Sequence, residues 1–186
     1  MCGISGFLSI SSSDNYNSFS ILQKMNLLIS HRGPDASGIW LDESVGIGLG
    51  HVRLSILELT EAGAQPMHSA CDRFVLSFNG EIYNHLKLRD QLEHEGHFTQ
   101  WRGHSDTETL LACFSVWGIE KTLQATVGMF AIALWDKQKK QLTLARDRLG
   151  EKPLYWGWCG STLLFGSELK ALKKHPDFIS EINRDA

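Results

Sequence analysis

Cys2 is the first residue whose type and place suggest chemistry. It lies between Met1 and Gly3, and a second residue this small normally allows an initiator methionine to be removed. Removal would leave a cysteine whose own α-amine, with an ordinary pKa of about 7.7 to 8.0, lies beside a thiol of about 8.5. Such an amine accepts a proton at neutral pH, and a thiol next to its own base is an activated nucleophile. On position alone the plainer reading is favoured, in which Cys2 opens a strand as a small hydrophobe. Arg53 closes the apolar run Gly50-His51-Val52-Arg53-Leu54-Ser55-Ile56. A guanidinium there could fork onto a carboxylate, as in recognition of an α-amino acid, or pair with a nearby Asp or Glu at the surface.

Asn79-Gly80 follows the strand-like run Phe74 to Phe78. Asn-Gly is a strong hairpin signal, so a type I′ turn is the default expectation. The same pair offers an amide and a glycine N–H, two donors suited to an oxyanion hole, with glycine permitting close approach of a substrate. The next residues, Glu81-Ile82-Tyr83-Asn84, lead toward a helix rather than a second strand, which weakens the hairpin. Asp106 directly follows Ser105, the expected helix cap. A carboxylate in a first helical turn is stabilising by roughly 0.3–1 kcal/mol on its own account; a substrate ammonium is the other partner it suits.

Around these residues the pattern predicts short strands at 3–10, 37–41, 46–56, 73–78, 130–135, 141–145, 153–158 and 162–165. Short turns separate the last four, which read as an antiparallel meander. Helices are expected at about 19–30, after Asn84 as cap to Gly96, from the Ser105/Glu108 capping box to Gly118, and briefly after Ser167. Strands in blocks with helices set apart indicate an α+β fold.

The 186 residues suffice for about one domain at roughly 150 residues each. A net charge of −3 argues against a nucleic-acid protein. The longest apolar run, 127–135, is far short of the roughly 20 residues that span a bilayer. The first basic residue is Lys24, which speaks against a secretory signal. Cysteines at positions 2, 71, 113 and 159 form neither a disulfide ladder nor a zinc pattern, and a reduced, cytoplasmic setting is expected. His94 and His97 have ligand-like spacing without a partner and read as surface residues.

Six ordered segments carry a resemblance that no single residue does. They are Met1-Cys2-Gly3-Ile4-Ser5-Gly6, His31-Arg32-Gly33-Pro34-Asp35, Arg53-Leu54-Ser55-Ile56, Asn79-Gly80-Glu81-Ile82-Tyr83-Asn84, Ser105-Asp106-Thr107-Glu108, and Ala145-Arg146-Asp147-Arg148-Leu149-Gly150 with Lys152-Pro153-Leu154-Tyr155. The chain resembles the N-terminal glutaminase domain of glutamine-hydrolysing asparagine synthetases, class II glutamine amidotransferases of the N-terminal-nucleophile hydrolase superfamily. Glu151 and Trp156 are small departures from the family pattern.

The resemblance implies a four-layer αββα sandwich with two antiparallel sheets. It implies hydrolysis of L-glutamine to L-glutamate and ammonia, with Cys2 as nucleophile and Asn79 and Gly80 holding the oxyanion. Arg53 would take the α-carboxylate and Asp106 the α-ammonium, with Leu54, Ser55, Ile56, Leu57 and Glu81 lining the rest. No metal or cofactor is implied for this half-reaction. ATP and magnesium belong to a C-terminal synthetase domain, marked by a Ser-Gly-Gly-x-Asp-Ser loop that does not occur in this sequence. On this reading residues 1–175 are the amidotransferase domain and 176–186 begin a linker to the synthetase domain. The partners are L-glutamine and that domain, and a homodimer is compatible. The acceptor is aspartate by default, with a sugar acid as the alternative. Two rivals remain: Cys159 as nucleophile of a different amidotransferase, and a non-catalytic glutamine-binding or regulatory domain of the same fold.

Overall fold

The computed structural model describes residues 1–10, 17–56, 58–97 and 100–181. The first part of the chain gives β1 (Gly3–Ser9), α1 (Ser18–Leu28), β2 (Ala36–Asp42) and β3 (Ile47–Arg53). The middle gives β4 (Met67–His68), β5 (Phe74–Ile82), α2 (His85–His94), α3 (Asp106–Trp117), α4 (Ile119–Ala125), β6 (Gly128–Asp136) and β7 (Gln141–Arg146). The chain then returns through β8 (Tyr155–Cys159), β9 (Thr162–Gly166) and α5 (Leu169–Leu172).

Two antiparallel sheets result, one in the order β2-β3-β1-β9-β8 and the other β4-β5-β6-β7. The first sheet draws on both ends of the described chain, and the second is inserted whole between β3 and β8. Period-2 alternation sorts the side chains into layers. Ile4, Ile47, Leu49, Val75, Ala131, Ala133, Trp135 and Phe165 fill the space between the sheets. Phe7, Val52 and Leu164 face outward onto α1 and α5. Phe74, Leu76, Phe78, Ile82 and Ile132 face outward onto α2 and α3. The architecture is the expected α+β, αββα sandwich. Burying each large apolar side chain contributes about 1.5–3 kcal/mol, so all three apolar layers support the fold.

Three local expectations are corrected. The last four strands do not form one meander: β6 and β7 pair in the second sheet, β8 and β9 in the first. The segment between β7 and β8 changes sheets, and Asp147 anchors it by accepting from the Phe130, Glu151 and Lys152 N–H groups. Asn79-Gly80 is not a turn. Both residues lie inside β5, opposite Ala131 and Phe130, so pairing with a distant strand overrides the local turn preference. Asn84 precedes α2 without capping it by its side chain. Its amide instead donates to the Ala125 carbonyl and accepts from the Val127 N–H, tying β5 to the α4–β6 connection. The short α4, which no expected element covered, sits in that connection.

The second capping signal holds in part. Ser105 Oγ accepts from the Glu108 N–H at 3.2 Å. The Glu108 carboxylate takes the Arg102 and Gly103 N–H groups at 2.9 and 3.1 Å. The buried Arg89 of α2 donates to Thr109 Oγ1 and to the Gly103 and Ser105 carbonyls. Its guanidinium lies 4.0 Å from the Trp101 ring centroid. This clamp fixes where α3 begins, and so where Asp106 stands.

Candidate active site

Strand parity aims the chemistry-bearing residues at one place. Ile4 faces the second sheet, so Cys2, two residues earlier, is directed to the same side. The last register pair of β1 and β3 is Gly3 with Val52, and one step further Cys2 stands beside Arg53. In β5, Val75 faces the first sheet, so Asn79 and Glu81 do as well. A cavity of about 160 Å³ opens between the sheets, lined by Cys2, Arg53, Leu54, Ile56, Asn79, Gly80, Glu81 and Asp106 among others. Of the residues expected here, Ser55 lies outside this lining, donating its N–H to Asp35 Oδ2 at 2.8 Å. Leu57 lies outside the described residues.

The thiol of Cys2 is partly exposed and free. Its sulfur lies 3.4 Å from the Leu54 N–H, which donates to it, and 3.6 Å from the Leu54 carbonyl, to which it donates. Arg32 Nε donates to the Cys2 carbonyl at 3.1 Å. Arg53 is buried, and no carboxylate pairs with it among the described residues. Two of its N–H groups are given to the carbonyls of Thr60 and Glu58, leaving the rest of the planar fork for the cavity. A Cβ at the neighbouring Gly63 would press on the guanidinium and on Glu58 Cγ.

The open edge of β5 is where donors collect. Phe78, Gly80 and Ile82 share one backbone direction, away from β6. The Phe78 N–H is taken by Gln65 Oε1 at 2.7 Å and the Ile82 N–H by Asp106 Oδ2 at 2.9 Å. Between them the Gly80 N–H points into the cavity. A Cβ on Gly80 would collide with the Met129 carbonyl and Phe130 Cα, so only glycine lets β5 and β6 approach this closely. Asn79 is 1% exposed, yet its Nδ2 has no hydrogen-bond partner among the described residues. A buried donor left unmade costs about 1–3 kcal/mol. Asp106 is 5% exposed. Burial pushes its carboxyl above the usual carboxylate range, against the opposing Ile82 N–H bond, and a cationic ligand would relieve that burden.

Met1, Glu58, Gly63, Gln65, Phe78, Ser105, Thr107, Met129 and Lys152 also line it, and of these Glu58, Gly63, Gln65 and Met129 were not singled out from sequence. No spacing marks Gln65 or Glu58. Lys152 falls in the Lys152-Pro153-Leu154-Tyr155 segment, and its burial at 6% exposure is visible only in the fold. Cys159 closes β8 at the hairpin to β9, its side chain packed toward α1 and α5. That is not a strand-to-helix elbow, and Cys159 does not line the cavity. Among the described residues there is no group of three or more side chains arranged to hold a metal.

Two face-to-face antiparallel sheets between helical layers place Cys2, at the head of a central strand, at the cavity between them. The phosphoribosylpyrophosphate amidotransferase of Bacillus subtilis, solved with ADP and GMP, shares the fold at a TM-score of 0.74 and 22% identity, over 92% of this chain and 43% of that one. The glutamine amidotransferase domain family matches residues 1–186, and the chain belongs to that family. It is 39% identical to asparagine synthetase [glutamine-hydrolyzing] 3 of Bacillus subtilis over 99% of this chain and 29% of the relative. It is 36% identical to a putative asparagine synthetase [glutamine-hydrolyzing] 2 of Methanocaldococcus jannaschii, over 100% of this chain and 38% of the relative. The chain thus spans roughly a third of the length of these curated relatives. No helix among the described residues is long and apolar enough to cross a membrane.

Proposed function

We propose that this domain hydrolyses L-glutamine to L-glutamate and ammonia with Cys2 as nucleophile. The observation that carries the reading is the Asn79 amide: a buried donor without an acceptor, lining the same cavity as the Cys2 thiol and next to the Gly80 N–H. Such a pair suits an oxygen that becomes negative only during reaction.

With Met1 removed, the Cys2 amine takes the thiol proton and the sulfur attacks the side-chain amide carbon of glutamine. The carbonyl oxygen becomes an oxyanion between Asn79 Nδ2 and the Gly80 N–H. Collapse expels ammonia, which receives the proton from the amine, and leaves a thioester on Cys2. Water then adds to the thioester, the amine again moving the proton, and glutamate leaves as the thiol is restored. Arg53 receives the α-carboxylate and Asp106 the α-ammonium. Leu54, Ile56 and Glu81 border the substrate, with Ser55 holding its strand end to Asp35. The step calls on no metal or cofactor. The names and lengths of the relatives support a synthetase domain as the user of the ammonia and aspartate as the default acceptor; on this reading ATP and magnesium act in that domain.

Glutamate release by processed protein carrying Cys2→Ala or Cys159→Ala tests the assignment. Loss in the first alone is expected. Loss in the second alone would move the nucleophile to Cys159, and no turnover by processed wild type would favour a binding or regulatory domain.

A further inference from the structure

We infer that Glu168, far from Cys2 in sequence, is a positioning residue for the nucleophile and acts through Arg32. This rests on the proposed role of Cys2. The end of β9 and the start of α5 grip the segment that carries that residue. Ser167 is fully buried; its Oγ accepts from the Ile4 N–H at 2.9 Å, and its own N–H donates to the Ile4 carbonyl at 2.8 Å. These two bonds fix the strand just after Cys2, but they stop short of Cys2 itself.

Glu168 extends the grip to Cys2. Its Oε1 accepts from Arg32 Nη1 at 3.0 Å and lies 2.9 Å from His31 Nε2, while Oε2 pairs with Lys170 Nζ at 3.0 Å. Arg32 in turn gives its Nε–H to the Cys2 carbonyl. The Arg32 side chain is only 10% exposed and that of Glu168 24%, so this carboxylate–guanidinium pair is better shielded than an ordinary surface pair. Gly3 leaves the necessary passage: a Cβ there would stand 3.2 Å from Arg32 Cδ and 3.0 Å from Val52 Cγ2. Without Glu168 the guanidinium loses one of its two anchors, and the Cys2 backbone can rotate its sulfur away from the Asn79–Gly80 donors. Small displacements of a reacting atom are costly in rate.

Glu168 touches neither the thiol nor the cavity, and this sets the test. In the chain with Met1 removed, Glu168→Ala should lower kcat about tenfold with KM changed less than about twofold. Glu168→Gln, which keeps an acceptor oxygen of the same shape, should recover part of the loss and covers the case in which the alanine variant folds poorly. Arg32→Ala should also lower kcat, and the double variant should be no slower than Arg32→Ala alone, because the two residues act in series. Unchanged kcat in Glu168→Ala and Glu168→Gln, or losses that multiply in the double variant, would overturn the inference. Wild-type turnover reads the proposed function separately. The carbonyl ¹³C resonance of Cys2, assigned by its absence in Cys2→Ala, reads the linkage without any turnover. It should move in Glu168→Ala while the Cys71 and Cys113 carbonyls stay, and a fixed Cys2 resonance would overturn the inference.

Discussion

Asn79 and Arg53 make opposite demands on a substrate, and kinetics can separate them. The Asn79 donor matters most when charge develops on the oxygen, so Asn79→Ala should lower kcat about 10²- to 10³-fold with modest change in KM. In the proposed mechanism Arg53 meets a carboxylate that is charged throughout the reaction. Arg53→Lys, which keeps the charge and loses the planar fork, should therefore raise KM for glutamine far more than it lowers kcat. Asp106→Asn should follow the same pattern through the ammonium. Initial-rate kinetics on the three variants checks this contrast, and an unchanged KM in both Arg53→Lys and Asp106→Asn would remove them from the binding site. At this scale residue type and motif order together pointed to Cys2, Arg53, Asn79 and Asp106, which the fold brings to one cavity. The sequence was silent on Gln65, whose amide pins the Phe78 N–H, because no spacing rule links a glutamine to a strand edge 13 residues away.

β3 and β5 carry the site between them, and His51 is the bond that joins them. Its Nε2 meets the Phe78 carbonyl at 3.0 Å, one residue before Asn79, and the side chain is fully buried. Burial lowers its pKa to about 4, against the opposing Phe78 hydrogen bond. In the unfolded chain an imidazole titrates near 6.5. Between those values the unfolded state holds a proton that the folded state refuses, so stability falls as the pH drops from about 6.5 toward 4. The complete penalty is about 3 kcal/mol by proton linkage. Glu168, at about 2, loses its stabilising charge only as the pH falls below its unfolded value and on through 2, mostly beneath this window. His85, also lowered by burial, acts in the same direction as His51. The denaturant midpoint should therefore be lower at pH 5 than at pH 7, and His51→Gln should shrink that difference. An equal difference in the variant would assign the effect elsewhere. Element types were readable from apolar periodicity and caps, whereas pairing was not. The β6–β7 and β8–β9 hairpins each form locally, but the link between β7 and β8 changes sheets, and that depends on inter-sheet packing around Trp135 and Phe165 that no local spacing shows. Asn79-Gly80 failed as a turn for the same reason, since β6 supplies a full ladder beside it.

The whole domain is a sheet nested within a sheet. β1 comes early and β9 late, and their pairing brings Ser167 and Glu168 beside Cys2. The segment from β4 to β7 brings Asn79 and Gly80, the proposed oxyanion donors, from the opposite layer. This arrangement places Cys2, the proposed nucleophile, at the head of a central strand, where its α-amine would stand at the cavity once Met1 is gone. With Met1 attached, the Cys2 nitrogen is an amide without a basic lone pair, and it cannot serve as the proton acceptor. Met1 also occupies the cavity wall, its sulfur 3.3 Å from Lys152 Nζ. The most direct measurement follows glutamate release from glutamine by the Met1-bearing protein before and during treatment with methionine aminopeptidase, with intact mass recorded on the same samples. Loss of one methionine mass and the onset of turnover should rise together, from a baseline near zero. Robust turnover by material whose mass still includes Met1 would contradict the N-terminal amine as the base.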